Sequence, residues 1–433
     1  MVLVAAPVIG LSLVFVASFV PDAWILGNLV TGLEAGHFSS AQFGFATTGR
    51  YMDYFTDCIG TTIGLGDEVG ANPLTNAIRS PTLGSCERTA AQVAAYRDGA
   101  GLDSRWEYFR YWHGYAIVTR PLLATVGLAG ARMVMIWAMV AGAIGLGRQL
   151  FRTHGAVVAV ALLAPTLLTT DLIELPRSLP HACGALAALV TAWVAHRVVT
   201  RSAEVPTIVA VGAASGATFL FFDILTITPG AWALLCAVVA LAASSSSTGR
   251  ALAVRVAAAA GGWILGWAAM WVSKWVFASV VYGPTAVREQ IGDVAGQRVD
   301  GDVDYLDFAF GRSIRLTLDT WTDHPLTPWM LGALVLLVAF AWSSRRADPR
   351  VRPLDRLLVA APAVLPLLWF EVMRNHTQVH VGFTYRSWGV IAGVVTVALV
   401  ARLPAAEPSA EPPSTDDEVV DAAAASAGHR VER

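Results

Sequence analysis

Long apolar segments alternate with shorter polar ones along nearly the whole chain. Uninterrupted apolar segments of spanning or near-spanning length occur at about 2–20, 128–147, 155–170, 182–196, 206–221, 227–243, 254–281, 326–343, 356–370 and 386–401. A helix needs about 20 apolar residues to cross the hydrocarbon core, so the shorter segments must borrow flanking residues. The pattern predicts an all-α integral membrane protein with about ten transmembrane helices.

Arginine is distributed unevenly between the connecting segments. It recurs in every second short loop and after the last apolar segment, at Arg148, Arg152, Arg197, Arg201, Arg250, Arg255, Arg345, Arg346, Arg350, Arg352, Arg356 and Arg402. Short loops rich in Lys and Arg remain in the cytoplasm. The alternation therefore predicts a multi-pass protein of the cell membrane with both termini cytoplasmic. The first segment lacks a basic n-region and a small-x-small cleavage site, which favours a retained span.

Two connecting loops are long, at about 21–112 and 282–325, and this orientation makes both extracytoplasmic. The transmembrane domain is predicted at 1–403. Residues 404–433 are rich in Ala, Glu, Pro and Ser, a composition that cannot build a core, so we expect a disordered cytoplasmic tail. Cys58 and Cys86 share the first outer loop, where oxidation is permitted, but their spacing leaves open whether they pair.

Composition supports lipid as the main solvent of the chain. Of its 433 residues, 55% are hydrophobic and only 14% are charged, with a mean hydropathy of +0.56. Soluble domains carry about a quarter charged residues. The net charge of -2 gives no basic excess, so no nucleic acid partner is expected. No Walker A, Rossmann, Gly-x-Ser-x-Gly or Cys-x-x-Cys motif occurs, so any reaction should use an already activated substrate.

The first outer loop carries an acidic pair, Asp53 and Asp57, spaced four residues apart. If the segment is helical, both carboxylates lie on one face. Such a pair can share a proton, which raises one pKa towards that of a general base, or can bind a divalent cation. The cofactor is therefore unknown, with a divalent cation as one option. The alternative is a solvated start of a helix.

Other polar residues lie at the same predicted ends of the spans. Asp171, Glu174 and Arg177 lie in the hairpin between the third and fourth segments. Asp223 stands inside an apolar sequence, either as a functional carboxylate or as a helix cap. Lys274, the one lysine of the chain, lies towards the outer end of segment 254–281. It could snorkel to the interface or meet a lipid phosphate.

The last outer hairpin, residues 371–386, has the highest density of polar side chains. It contains Arg374, His376, His380, Tyr385 and Arg386. The two histidines have the spacing of a helical metal pair, but no His-Glu-x-x-His motif occurs. An arginine can donate two parallel hydrogen bonds to the oxygens of one phosphate. The hairpin therefore favours an anion site over a zinc site. Interfacial residues that snorkel to the headgroups are the alternative.

This arrangement resembles the GT-C superfamily of membrane glycosyltransferases. The shared features are a first span, a long outer loop with the Asp53 and Asp57 pair, and many spans with polar outer hairpins, including segments 222–226 and 375–386. The resemblance implies inverting transfer of a sugar from a polyprenyl-phosphate donor to an extracytoplasmic glycan, lipid or protein acceptor. Membrane lipids would be the other partners.

The resemblance also implies roles for individual residues. Asp53 or Asp57 would deprotonate the acceptor or position it with a metal ion. Arg374 and Arg386, with Lys274 or His376, would stabilise the departing phosphate.

Two other functions remain open. A transporter or flippase would keep polar groups near the bilayer midplane, and Arg132, within the second apolar segment, is the one such residue. Arg132 needs a partner or a hydrated cavity at that depth. An acyltransferase would use His376 or His380 as base but would leave the arginines without a role.

Overall fold

The computed structural model describes residues 2–38, 41, 43–45, 51–65, 72–102, 106–299, 306, 309–344 and 353–403. Over these residues the fold is that of an all-α membrane protein, as predicted. Six helices of the described part are long and apolar enough to cross a membrane, or eight if each of two bent helix pairs forms one span. The predicted tail at 404–433 and the arginines at 345–352 lie outside the described residues.

The N-terminal region contains a bent helix pair followed by a small subdomain. Helices α1 (Val2–Ala17) and α2 (Asp22–Glu34) meet at 72°. The subdomain comprises β1 (Phe43–Phe45), β2 (Tyr51–Asp53), α3 (Tyr54–Thr62), α4 (Pro73–Arg79), β3 (Pro81–Thr82), α5 (Cys86–Arg97) and β4 (Trp106–Glu107). Strands β1 and β2 pair antiparallel, as do β3 and β4. A disulfide between Cys58 and Cys86 joins α3 to α5.

The helical bundle follows. Its elements are α6 (Ala116–His154), α7 (Ala156–Leu168), a 3-10 turn (Leu175–Arg177), α8 (Leu179–Arg201), α9 (Val205–Phe222), α10 (Thr228–Ser244), α11 (Gly249–Tyr282), α12 (Pro284–Val299), α13 (Arg312–Thr322), α14 (Thr327–Ser343), α15 (Pro353–Ala360), a second 3-10 turn (Ala361–Ala363), α16 (Val364–Val372), α17 (Arg374–Val379), α18 (Val381–Thr384) and α19 (Ser387–Val400). Helices α13 and α14 meet at 91°. Helices α7 and α10 are apolar but short, with 13 and 17 residues.

Helices α9 and α11 pack with their backbones in contact because glycines line both surfaces. A Cβ atom added at Gly266 of α11 would lie 1.9 Å from the Ala213 carbonyl oxygen. One added at Gly216 of α9 would lie 2.0 Å from the Trp263 carbonyl oxygen. Small residues permit this close approach between helices in a membrane, where packing replaces the hydrophobic driving force. Helices α9 and α11 therefore form a closely packed pair within the bundle.

Helix α6 is broken at Gly127, which has φ 66° and ψ -176°. Only glycine adopts this conformation readily, and it releases carbonyl groups from the helical hydrogen-bond ladder. The side-chain amide of Asn28 in α2 donates to the carbonyls of Leu123 and Ala124, at 2.8 and 3.0 Å. The Asn28 side chain therefore satisfies the carbonyl groups that the break releases, and these hydrogen bonds join α2 to α6.

A buried arginine of α6, Arg120, has its partners in the N-terminal region. Arg120 donates to the carbonyls of Ala17, Val20 and Ile63 and pairs with Asp22 at 2.6 Å. These contacts hold the elbow between α1 and α2 against α6. An embedded guanidinium is costly unless it is paired, and Arg120 is fully engaged.

Candidate functional site

Long-range contacts bring several chain reversals together at one face of the bundle. His376, after α16, donates from Nε2 to the carbonyl of Leu225, which lies between α9 and α10. Arg298 at the end of α12 contacts the same histidine. Asp53 of β2 lies beside His181 at the start of α8. The Phe383 ring contacts the rings of both His181 and His380. The polar residues between alternate helices therefore form one cluster, which we call the Arg298 site.

Arg298 is held by two histidines and a tyrosine. Its Nη1 donates to His376 Nδ1 at 2.8 Å and to His380 Nε2 at 2.6 Å, and its Nη2 donates to the Tyr111 hydroxyl at 3.4 Å. A guanidinium has no acceptor, so both imidazole nitrogens must accept, and both rings are neutral. Among the described residues, no carboxylate forms an ion pair with Arg298.

The electrostatics of the two histidines agree with this assignment. Burial, and then the charge of Arg298, lowers the pKa of His380 to about 3. Burial, with His380 and Arg298, also holds the pKa of His376 well below its ordinary value. The Nε2–H of His376 donates to the Leu225 carbonyl at 2.9 Å, which fixes its tautomer. The pair therefore orients Arg298 without adding or removing charge.

Asp53 caps the N-terminus of α3. Its carboxylate accepts from the Thr56 amide at 3.1 Å and from the Thr56 hydroxyl at 2.5 Å. His181 Nε2 lies 3.7 Å from Asp53 Oδ2, and this nitrogen is buried without a hydrogen-bond partner. Burial opposes ionisation of Asp53, but His181 and the Thr56 donors outweigh it, so the pKa of Asp53 lies below its ordinary value. Asp53 is a buried, ionised carboxylate.

Asp57 has a separate set of partners. Its Oδ2 accepts from Arg132 Nη2 at 2.6 Å, and its Oδ1 accepts from the amide of Leu179, the first residue of α8, at 2.9 Å. Burial raises the pKa of Asp57, and Arg132 and the Leu179 amide oppose that rise. Arg132 also donates to the carbonyls of His37 and Arg177. Asp57 thus caps α8 and supplies the partner that Arg132 requires.

The Asp223 carboxylate is engaged by threonines of the turn between α9 and α10. It accepts from the Thr226 amide at 2.9 Å, from the Thr226 hydroxyl, and from the Thr228 hydroxyl at 3.2 Å, at the start of α10. Burial raises the pKa of Asp223. A Cβ at Gly184 would lie 2.6 Å from Asp223 Oδ1, so the carboxylate is packed tightly against α8. The N-terminus of α10 has no side-chain cap from the residues that the structure describes, so Asp223 stabilises the turn before this helix and does not act as its cap.

Asp171, Tyr385 and Arg386 form a second polar group, apart from Asp53. Asp171 accepts from the Tyr385 hydroxyl at 2.8 Å and contacts His324 Nε2 at 3.2 Å. The Leu326 amide donates to His324 Nδ1, so Nε2 carries the proton. Arg386 Nε donates to the Thr170 carbonyl at 3.0 Å. Arg386 therefore faces the interior of the bundle and does not contact Asp53.

The remaining predicted residues lie outside the Arg298 site. Glu174 and Arg177 form a pair at 3.2 Å in which the Arg177 side chain is 41% exposed. Lys274 is buried and donates to the Ile78 carbonyl at 2.8 Å, so it fastens the end of α4 to α11. Arg374 begins α17, and its carbonyl accepts from the Ser313 hydroxyl.

No set of three or more His, Cys, Asp or Glu side chains in the described part of the chain is grouped as metal ligands. The ring nitrogens of His376 and His380 that face each other across Arg298 Nη1 are engaged by that group. The histidine spacing that suggested a metal pair is thus used to hold a guanidinium.

Sequence reasoning singled out Asp53, His376 and His380 but missed Arg298. Arg298 lies in an exposed-looking helix, α12, with no local signal that separates it from the neighbouring Arg288. Only its partners, 78 and 82 residues away, reveal its position. Comparison of the chain with protein-family models, curated proteins and solved structures finds no match.

Proposed function

We propose that this chain is a GT-C type membrane glycosyltransferase that moves a sugar from a polyprenyl-phosphate donor to an acceptor at the extracytoplasmic face. The observation that carries the proposal is the Arg298 site. It combines a buried ionised carboxylate, Asp53, with a guanidinium, Arg298, that neutral histidines hold in place. A base and a cation at one membrane face are the groups that this transfer requires.

The reaction assigns one role to each group. Asp53 accepts the proton of the acceptor hydroxyl while the acceptor oxygen bonds to the anomeric carbon. The bond between that carbon and the donor phosphate oxygen breaks on the opposite side, and the phosphate leaves with the electron pair. Arg298 stabilises the negative charge that grows on the phosphate, because a guanidinium forks two phosphate oxygens. The leaving-group role expected of Arg374 and Arg386 thus passes to Arg298.

Between the two carboxylates of the acidic pair, hydrogen bonding favours Asp53 as the base. Both oxygens of Asp57 are occupied, one by the Arg132 guanidinium and one by the Leu179 amide. Asp53 is held only through Thr56 and lies 3.7 Å from the unbonded Nε2 of His181. His181 lowers the pKa of Asp53 and so keeps the carboxylate ionised and ready to accept a proton.

The extracytoplasmic placement rests on two independent supports. His181 lies in the first turn of α8 and Arg201 is the last residue of that helix, so this arginine lies at the end away from Asp53, which agrees with cytoplasmic retention of positive charge. The Cys58–Cys86 disulfide lies in the same small subdomain as Asp53. Disulfides persist mainly in oxidising compartments. Both observations support the proposal that the Arg298 site faces the extracytoplasmic side of the cell membrane and that both termini are cytoplasmic.

Asp53→Asn tests the base. Asparagine caps a helix as well as aspartate, so the variant keeps the α3 cap and loses only the charge. We expect transfer of radiolabelled sugar from defined polyprenyl-phosphate donors by purified protein to fall by about 10²–10⁴-fold. Asp319→Asn, an exposed carboxylate paired with Arg315, is the matched control and should keep full activity.

Arg298→Gln tests the cation, and we expect turnover to fall by about 10²–10³-fold. Wild-type turnover by a folded Asp53→Asn variant would remove Asp53 as base. If folded wild-type protein transfers no sugar from any donor but moves labelled lipid between leaflets, the transporter function replaces the glycosyltransferase.

A further inference from the structure

A small cavity lies inside the bundle between α7, α8, α10 and α19. Its volume is about 40 Å³, and Thr166, Ala188, Gly230, Arg386 and Ser387 are among the residues that line it. A water molecule needs about 10–15 Å³ of cavity volume, so this cavity can hold about three groups of the size of water. Apart from Arg386 and the hydroxyl groups, its walls are apolar.

Three polar atoms at this cavity have no hydrogen-bond partner. They are Nη1 of Arg386, Oγ of Ser387 and Oγ1 of Thr166. Arg386 is 4% exposed and Ser387 is 1% exposed, so solvent does not satisfy them. Buried polar atoms are nearly always satisfied, and three unsatisfied ones around one cavity indicate a ligand.

Charge decides what kind of ligand fits. Arg386 lies within the candidate span Val381–Val400. Its Nε donates to the neutral Thr170 carbonyl, and its guanidinium also interacts with Tyr385. Among the described residues, no carboxylate forms an ion pair with Arg386; nearby Asp171 accepts from Tyr385 and contacts His324. A buried cation in a membrane span is costly unless a negative charge compensates it. Water would satisfy the hydroxyls but would leave the charge uncompensated.

The start of α19 also lies at this cavity. Ser387 is the first residue of this 14-residue helix and contributes its hydroxyl, whereas the amides of Trp388 and Gly389 already donate to the carbonyls of Tyr385 and Arg386. Gly230 of α10 faces the same point, because a Cβ there would lie 3.1 Å from Ser387 Oγ. The small volume and apolar walls suit a weakly hydrated monovalent ion better than a phosphate, which needs more donors.

We propose that this cavity binds a monovalent inorganic anion of the chloride class, held by Arg386, Ser387 and Thr166. The anion neutralises Arg386 and joins α7 to the start of α19. It is a resident ion of the fold, separate from the donor phosphate at Arg298, and the proposal does not depend on the proposed transfer reaction.

Thermal unfolding of the full-length protein in detergent tests the site, with chloride exchanged for gluconate at constant ionic strength. We expect the unfolding midpoint to rise with chloride or bromide by a few degrees and to saturate, because the ligand binds only the folded state. Sulfate and phosphate should not reproduce the rise. Arg386→Gln should abolish it and Ser387→Ala should weaken it.

Arg356→Gln is the matched control, because Arg356 caps the opposite end of α19 through the carbonyls of Ala398, Leu399 and Ala401. This variant should keep the full chloride effect. If Arg386→Gln does not fold, Ala188→Leu replaces it, since a larger side chain fills the cavity and should remove the chloride effect while the protein stays folded. A wild-type midpoint that is equal in chloride and gluconate, or a full chloride effect in Arg386→Gln or Ala188→Leu, overturns the proposal in favour of water alone.

Discussion

Arg298 and His380 are joined by a hydrogen bond of 2.6 Å in which the guanidinium donates to a neutral imidazole. The bond connects α12 to the residue between α17 and α18. Because His380 and His376 carry no charge, they fix the position of Arg298 without neutralising it. The full positive charge of Arg298 therefore remains for a ligand. This relationship leads to a pH dependence that can be measured.

We predict that stability falls as the pH is lowered from about 6.5. Burial and Arg298 hold the folded-state pKa of His380 at about 3, whereas the unfolded chain takes up the proton near 6.5. Between these values the unfolded state binds more protons, so the free energy of unfolding falls with decreasing pH, by up to about 1.4 kcal/mol per unit for one such histidine. The pH profile of the thermal midpoint measures this slope.

His380→Gln should reduce that slope, because glutamine can still accept from Arg298 but does not titrate. His37→Gln is the control, since the His37 side chain is exposed. An unchanged slope in His380→Gln would contradict the assignment of a neutral, buried imidazole.

The Asp57–Arg132 pair should matter for stability more than for chemistry. Asp57→Ala removes the partner of Arg132 and the acceptor of the Leu179 amide, so we expect the free energy of unfolding to fall by about 3 kcal/mol or more. Denaturant unfolding in micelles measures the change. Glu174→Ala, which breaks a more exposed pair, should change stability by about 1 kcal/mol or less. Equal losses in the two variants would show that the Asp57 pair is not special.

The contact between α9 and α11 should tolerate no side chain at Gly266. Gly266→Ala places a methyl group 1.9 Å from the Ala213 carbonyl oxygen unless the backbones separate, so we expect a loss of more than about 2 kcal/mol. Gly261→Ala on the same helix meets nothing within 4 Å and should be neutral or slightly stabilising, because alanine favours helix. Melting temperatures of the two variants give the comparison, and similar values would contradict the close packing.

The four cysteines should divide into two classes. Alkylation of the denatured protein without reductant should label only Cys183 and Cys236, and labelling should extend to Cys58 and Cys86 after reduction. Removal of the disulfide with Cys58→Ser and Cys86→Ser should cost about 3 kcal/mol. Hydrogen exchange should locate the loosening in α3 and α5. Four labelled cysteines without reductant would show that the bond does not form in the cell.

The apolar pattern predicted most of the helices because the hydrocarbon core imposes a length on them. The segment predicted at 206–221 is α9 (Val205–Phe222), and that at 227–243 is α10 (Thr228–Ser244). The pattern placed the second span at 128–147, whereas α6 begins at Ala116. Arg120 interrupts the apolar pattern, so the pattern predicts the first turns of α6 as part of a loop. The backbone carbonyls that accept hydrogen bonds from Arg120 cannot be recognised from the sequence.

The polar site was only partly predictable, for a related reason. Local clustering drew attention to Asp53, His376 and His380, which the fold does bring to one face. Clustering also suggested that Arg386 belongs with them, but the turn between α18 and α19 directs it towards Thr170. Arg298 gave no local signal, because its environment comes entirely from residues distant in sequence. Tertiary contacts decide which charged residues of an outer hairpin share a site.

The bond network of Arg120 has a consequence for biogenesis. Its partners at Ala17, Val20 and Asp22 precede it by about 100 residues. The sharp turn after the first helix can therefore reach its final shape only once α6 has been synthesised and inserted. Until then, the carbonyls of Ala17 and Val20 and the carboxylate of Asp22 lack the guanidinium that binds them in the folded protein.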